Sequence, residues 1–172
     1  PNDRNVGDSR NYSRHYRQRL RAEVLLDAIS DATGVPEKFD AMPSGTRAMQ
    51  VWTVRSPSLF LDSFGRPDPN QDPPCERTSD SSVVQALHLM NAPNLQRKIT
   101  ADDGRIAKLT AGDKPVPQIV EELYLLAYCR LPTSDEQTAA AKRFEKAGTA
   151  KRKAAEDLLW SLVNTPEFVF ND

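Results

Sequence analysis

Seven of the chain's thirteen prolines fall between residues 35 and 78: Pro36, Pro43, Pro57, Pro67, Pro69, Pro73 and Pro74, with Gly45 and Gly65 among them. Each proline fixes φ and removes a backbone donor, so neither a long helix nor a central strand can cross this segment. It is nonetheless too apolar to remain disordered. Phe39, Met42, Met49, Val51, Trp52, Val54, Leu59, Phe60, Leu61 and Phe64 lie within it and call for burial. The expectation is an ordered wrap over helices, its shape held by prolines that restrict the unfolded chain. Met49-Gln-Val-Trp-Thr-Val54 has the β-branched and aromatic character of a short strand. Long loops inside compact domains are uncommon, and those that persist often carry function.

Helices flank the wrap. Leu25, Ala28, Ile29 and Ala32 recur at helical spacing, which predicts a first helix from Ala22 to Thr33, stopped by Gly34 and Pro36. After the wrap, Thr78, Ser79 or Asp80 caps a helix over 81–91 whose inner side is Val83, Val84, Leu87 and Met90. Two short helical pieces follow at 94–100 and 104–110. A strong helix runs from Pro115 or Pro117 to about Arg130, on the stripe Ile119, Val120, Leu123, Leu126 and Ala127. Thr133 or Ser134 caps the next, which stops at Gly148. The last has the cleanest apolar face, with Ala155, Leu158, Leu159, Leu162 and Val163, and the tail Glu167-Phe-Val-Phe170 should dock and close the core. This is an all-α pattern: an irregular domain of about six helices with a long ordered proline-rich loop at 35–78 and at most one short strand.

Length fits a single domain over 1–172, divided into an arm (1–19), a helix (20–34), the wrap (35–78) and a helical core (79–172). The arm carries Arg4, Arg10, Arg14, Arg17 and Arg19 beside Asp3 and Asp8 and shows no apolar face. Pro1 is an unusual natural start, and the chain reads as a processed product or a piece of a longer one. A formal net charge of −1 argues against nucleic acid as a partner. The basic run Lys142-Arg143 to Lys151-Arg-Lys153 is interleaved with Glu145, Glu156 and Asp157 and lacks stacking aromatics, so it reads as a solvated face. No apolar run approaches the ~18–20 residues of a membrane span. Cys75 and Cys129 are too few for a disulfide framework. They would pair in an oxidising compartment, but the plainer reading is one loop thiol and one buried core thiol.

The richest chemistry lies between 59 and 91. Asp62, Arg66, Asp68, Asp72, Cys75, Glu76, Arg77, Asp80 and His88 fall within thirty residues. Cys75 and His88, with Asp72 and Glu76 as oxygens, are the best metal ligands available, yet two soft ligands are too few to define a site. A thiolate nucleophile at Cys75 would draw on Arg77 and a helix start to lower its pKa, and on His88 as base. Asp62 and Asp72 are candidates for an acid–base carboxylate pair. Against these stands a structural role, in which Asp62, Arg66, Glu76 and Arg77 form ion pairs and caps that pin the loop. Candidate catalytic residues are therefore Asp62, Cys75, Arg77 and His88, with no metal or cofactor assigned. No Cys-X-X-Cys-His occurs to hold a haem.

Several motifs carry a resemblance. These are Arg19-Leu-Arg-Ala-Glu-Val-Leu-Leu-Asp-Ala-Ile29, Thr33-Gly-Val-Pro36, Gly45-Thr-Arg-Ala48, Leu61-Asp-Ser-Phe-Gly-Arg-Pro67, Cys75-Glu-Arg77 and Gln85-Ala-Leu-His-Leu-Met-Asn91. Gly104-Arg-Ile-Ala107, Glu121-Glu-Leu-Tyr124, Arg130-Leu-Pro132 and Asn164-Thr-Pro-Glu-Phe-Val-Phe170 continue it. In this order they resemble the C-terminal half of a planctomycete domain of unknown function that ends large proteins, many with a cytochrome-c-like domain upstream. The resemblance implies a helical fold, an exported (periplasmic or cell-surface) protein and further N-terminal domains. It implies no activity. Related sequences often have Cys-X-Cys-Glu-Arg where this chain has Pro73 before Cys75, so no role for a cysteine pair carries over.

Two functions follow as expectations. The first is a non-catalytic accessory or interaction module of an exported multidomain protein, with loop 35–78 contacting neighbouring domains of the same chain, another exported protein or a glycan. The alternative is a hydrolytic or redox-linked enzyme domain with its site around Asp62–His88. An enzyme should gather convergent polar groups in a pocket, whereas a scaffold should show those charges paired off.

Overall fold

The computed structural model describes residues 2–171, apart from 9, 16, 41, 54, 69 and 71–82. For Val83, Val84, Ala86, His88 and Asn171 only the backbone is described. Among the described residues, nine helices run in the order α1 (Ala22–Thr33), α2 (Leu59–Ser63), α3 (Val83–Asn91), α4 (Pro93–Ile99), α5 (Arg105–Thr110), α6 (Val116–Tyr128), α7 (Ser134–Ala147), α8 (Lys151–Val163) and α9 (Pro166–Val169). The fold is all-α, as the periodicity predicts. Among the described residues, extended pairing is confined to β1 (Gln18–Arg19) and β2 (Phe170–Asn171), antiparallel, with Arg19 opposite Phe170. Leu20 N–H then donates to Val169 O at 2.9 Å, so the arm ends by zipping onto the tail.

Two central helices organise the core. α1 buries Leu25, Leu26, Ile29 and Ala32 and packs against α2, α4, α5 and α6. α8 buries the five apolar residues its pattern predicts, plus Ala154, and packs against α4, α5, α6 and α7. The approach of α5 to α1 depends on two glycines. Gly34 ends α1 at φ 70°, and a Cβ there would lie 3.3 Å from both the Cβ and the backbone N of Arg105. A Cβ on Gly104 would meet Ala101 O at 3.0 Å and Thr33 O at 3.4 Å. Thr33-Gly34 and Gly104-Arg105 are thus two sides of one tight contact.

The structure departs from the sequence pattern at several points, among them α2, a short helix inside the expected wrap. Met49–Val54 does not form a strand over its described residues: Ala48–Gln50 is a 3₁₀ turn and 51–53 are irregular. Among the α3 side chains described, Gln85 and Leu89 are buried, while Leu87 and Met90, expected inside, face out. Gln85 Nε2 donates to Ser63 O across to α2, a contact that a hydrophobicity count cannot register. α6 ends two residues early because Cys129 turns left-handed, φ 55°, as its C-cap. That turn also exposes Cys129, so the expected core thiol is a free surface thiol. The expected cap at 78–80 lies outside the described residues.

Candidate functional site

Of the four candidate catalytic residues, the structure fully describes Asp62. It sits on α2, half exposed, and its Oδ1 accepts from Arg66 Nε at 3.0 Å and Nη2 at 2.6 Å. Arg66 is buried, and its Nη1 donates to Ser56 O at 2.8 Å. The pair thus closes the loop around α2 and matches the structural role weighed for it. Cys75 and Arg77, with Asp72 and Glu76, lie outside the described residues, and His88 is placed by its α3 backbone alone. Among the described residues no three His, Cys, Asp or Glu side chains gather as metal ligands.

What the described structure builds instead is an ordered surface on loop 35–66. Asp27 of α1 is buried, and its carboxylate accepts the Ala48 N–H at 2.7 Å and the Met49 N–H at 3.2 Å. It therefore caps the 3₁₀ turn from another element. Arg47 forks onto Asp31 through Nη1 at 3.2 Å and Nη2 at 2.6 Å, and its Nε stands 3.5 Å from Asp27. These hydrogen bonds, Asp31's first, raise the Arg47 pKa. The Gly45-Thr-Arg-Ala48 motif is thereby tied to α1.

A second anchor sits in the turn after α1. Lys98 of α4 is buried and donates to Val35 O at 2.7 Å and Ser30 Oγ at 3.3 Å, with Glu37 Oε2 3.2 Å away. Burial lowers the Lys98 pKa, and Glu37 opposes that shift. Asn94 Nδ2 also donates to Glu37. Held at both anchors, the loop buries Phe39, Leu61 and Phe64 and half-buries Met42, Val51 and Phe60. It turns the others outward: Met49 is 54% exposed, Leu59 75% and Trp52 81%. Trp52 Nε1 donates to Met42 Sδ, which fixes the indole while leaving its face open.

A third cluster joins α6, α7 and α9. Arg130 donates to Glu136 through Nη1 and Nη2, both at 2.8 Å, and to Glu167 through Nε at 2.7 Å and Nη2 at 2.9 Å. Its guanidinium lies 5.6 Å from the Tyr124 ring centre and 5.2 Å from that of Tyr128. Glu136 completes a capping box with Thr133, and Arg130 first of all holds its carboxyl down at about 2. All five guanidinium donors are committed, the last through Nη1 to Leu131 O, so this is a clamp rather than an open binding site.

Sequence reasoning missed these three clusters. Arg130-Leu-Pro with Thr133-x-x-Glu136 was the available signal for one, since a capping box places a carboxylate beside the preceding helix end. Asp27 and Asp31, one turn apart on the face of α1 away from its apolar stripe, were the signal for another.

The family model PSD1, described as a protein of unknown function (DUF1553), matches residues 2–144. The chain belongs to this family. No curated protein and no solved structure matches it. The DUF1553 match spans the wrap, both of its anchors and the Arg130–Glu136 half of the clamp. Glu167, the clamp's other carboxylate, lies beyond the matched residues.

Proposed function

We propose that this chain is a non-catalytic interaction module of an exported multidomain protein, with loop 35–66 as its contact surface and a neighbouring domain of the same polypeptide as partner. The observation that carries the reading is the combination of order and exposure in the loop. Met49, Trp52 and Leu59 are large apolar side chains turned to solvent on backbone held by Asp27, Arg47, Lys98 and the Asp62–Arg66 pair. An exposed tryptophan on a fixed loop contributes contact area at little entropic cost when it is covered. The charged groups that hold this backbone are spent on one another, as in a scaffold. Export and the planctomycete setting rest on the family resemblance. No helix among the described residues is long and apolar enough to cross a membrane.

Hydroxyl-radical footprinting read by peptide mapping tests the proposal. In the 172-residue chain Trp52 should oxidise readily. In the full natural polypeptide it should be protected. Equal oxidation of Trp52 in both would overturn the reading.

A further inference from the structure

We infer that the cleft between α1, α2 and α4 receives one large apolar side chain, flanked by carboxylates, from the partner segment that covers the loop. This rests on the contact-surface reading above and names the chemistry of what docks there. The cleft holds about 190 Å³. Small-molecule sites run to ~300–1,000 Å³, so this one is the size for a single side chain rather than a whole ligand. Ile29, Phe39 and Leu95 form its apolar floor, and Leu59 stands as an outer wall with most of its surface in water. An inserted side chain would cover that wall and the floor together, which is how an anchor residue gathers binding energy at an interface.

The charges on the lining decide what flanks the anchor. Lys98 and Glu37 face each other across a 3.2 Å ion pair, and Asn94 adds a donor to the same carboxylate, so both charges are spent internally. Lys38 also lines the cleft, is exposed and has no ion pair among the described residues. The lining therefore carries one unspent positive charge at its mouth. An acidic neighbour on the incoming segment meets that ammonium, whereas a basic one is repelled.

Capped tripeptides titrated into the isotope-labelled 172-residue chain, followed by NMR amide shifts, give the test. Glu-Leu-Glu should produce saturable shifts at the amides of Phe39, Leu59 and Leu95. Lys-Leu-Lys should bind roughly twofold to fivefold more weakly, the range expected of one exposed ion pair. Glu-Ala-Glu should leave those amides unmoved. Lys38→Glu, a surface change compatible with folding, should reverse the order of the two leucine peptides. Absence of saturable shifts at the three amides, equal affinity for the acidic and basic peptides, or an order unchanged in Lys38→Glu would each overturn the inference. If footprinting shows Trp52 covered while Glu-Leu-Glu leaves the cleft unshifted, the contact-surface reading stands and this one falls. A titrating cleft beside an uncovered Trp52 would mean the reverse.

Discussion

Cys129 holds φ 55° at the end of α6, a conformation that costs a side-chain-bearing residue roughly 1–2 kcal/mol. Its N–H donates to Leu125 O at 3.1 Å, so the turn closes the helix whatever the side chain. Glycine would keep that bond and remove the strain, at the cost of a more flexible unfolded chain. Cys129→Gly should therefore raise stability by about 0.5–1 kcal/mol, seen as a Tm increase of about 1–4 °C in a thermal melt. A lower Tm would show that the thiol makes contacts outweighing the backbone strain. Gly34 is the opposite case, because at φ 70° it already has the residue its turn requires, and a Cβ there would press on Arg105 at 3.3 Å.

At the level of elements, the Arg130 clamp binds the end of α6 to the starts of α7 and α9 through paired carboxylates. The pH dependence follows from Glu136, whose carboxyl is shifted from an ordinary 4.5 to about 2, chiefly by its hydrogen bonds from Arg130. A depressed carboxylate pKa means that the unfolded state takes up protons first as pH falls. The clamp's contribution is thus fully present above pH 4.5 and is lost as pH drops toward 2. Glu136→Gln should be less stable at neutral pH and should show a shallower loss of urea midpoint across that acid window. Parallel slopes for the two proteins would show that the carboxylate is no better bound in the fold than in the open chain.

Over the whole molecule, the two ends of the chain perform different tasks. The tail buries Phe168 and Val169, donates the Thr165 hydroxyl to Leu162 O at 2.8 Å and brings Glu167 to the clamp. Removing residues 165–172 should cost about 3–5 kcal/mol from the two buried side chains alone. That is a large share of the ~5–15 kcal/mol typical of a domain. The described hydrogen bonds of residues 2–8, by contrast, stay within the arm. Deleting them should leave stability within about 0.5 kcal/mol. Chemical denaturation of the two truncations checks the contrast, and a tail deletion as mild as the arm deletion would sink it.

The long helices were legible in the sequence, because periodicity, glycine stops and the Thr133 cap are local physics, whereas the short α2 and α9 were not. α1 and α8 lie within a residue or two of their expected bounds, and the stripe of α8 is buried as written. Proline also ruled out a long helix or a central strand across 35–78, leaving room only for short pieces such as α2 and the 3₁₀ turn. Tertiary structure decided which apolar residues of that loop were turned in. Phe39, Leu61 and Phe64 went inside, while Trp52, Met49 and Leu59 stayed out, because Asp27 and Lys98 fix the backbone from elements distant in sequence. It likewise turned Gln85 of α3 inward and assembled Arg130 with Glu136 and Glu167. A hydrophobic pattern records how much a residue gains from burial. It does not record which distant partner holds the backbone, and that partner decides the face.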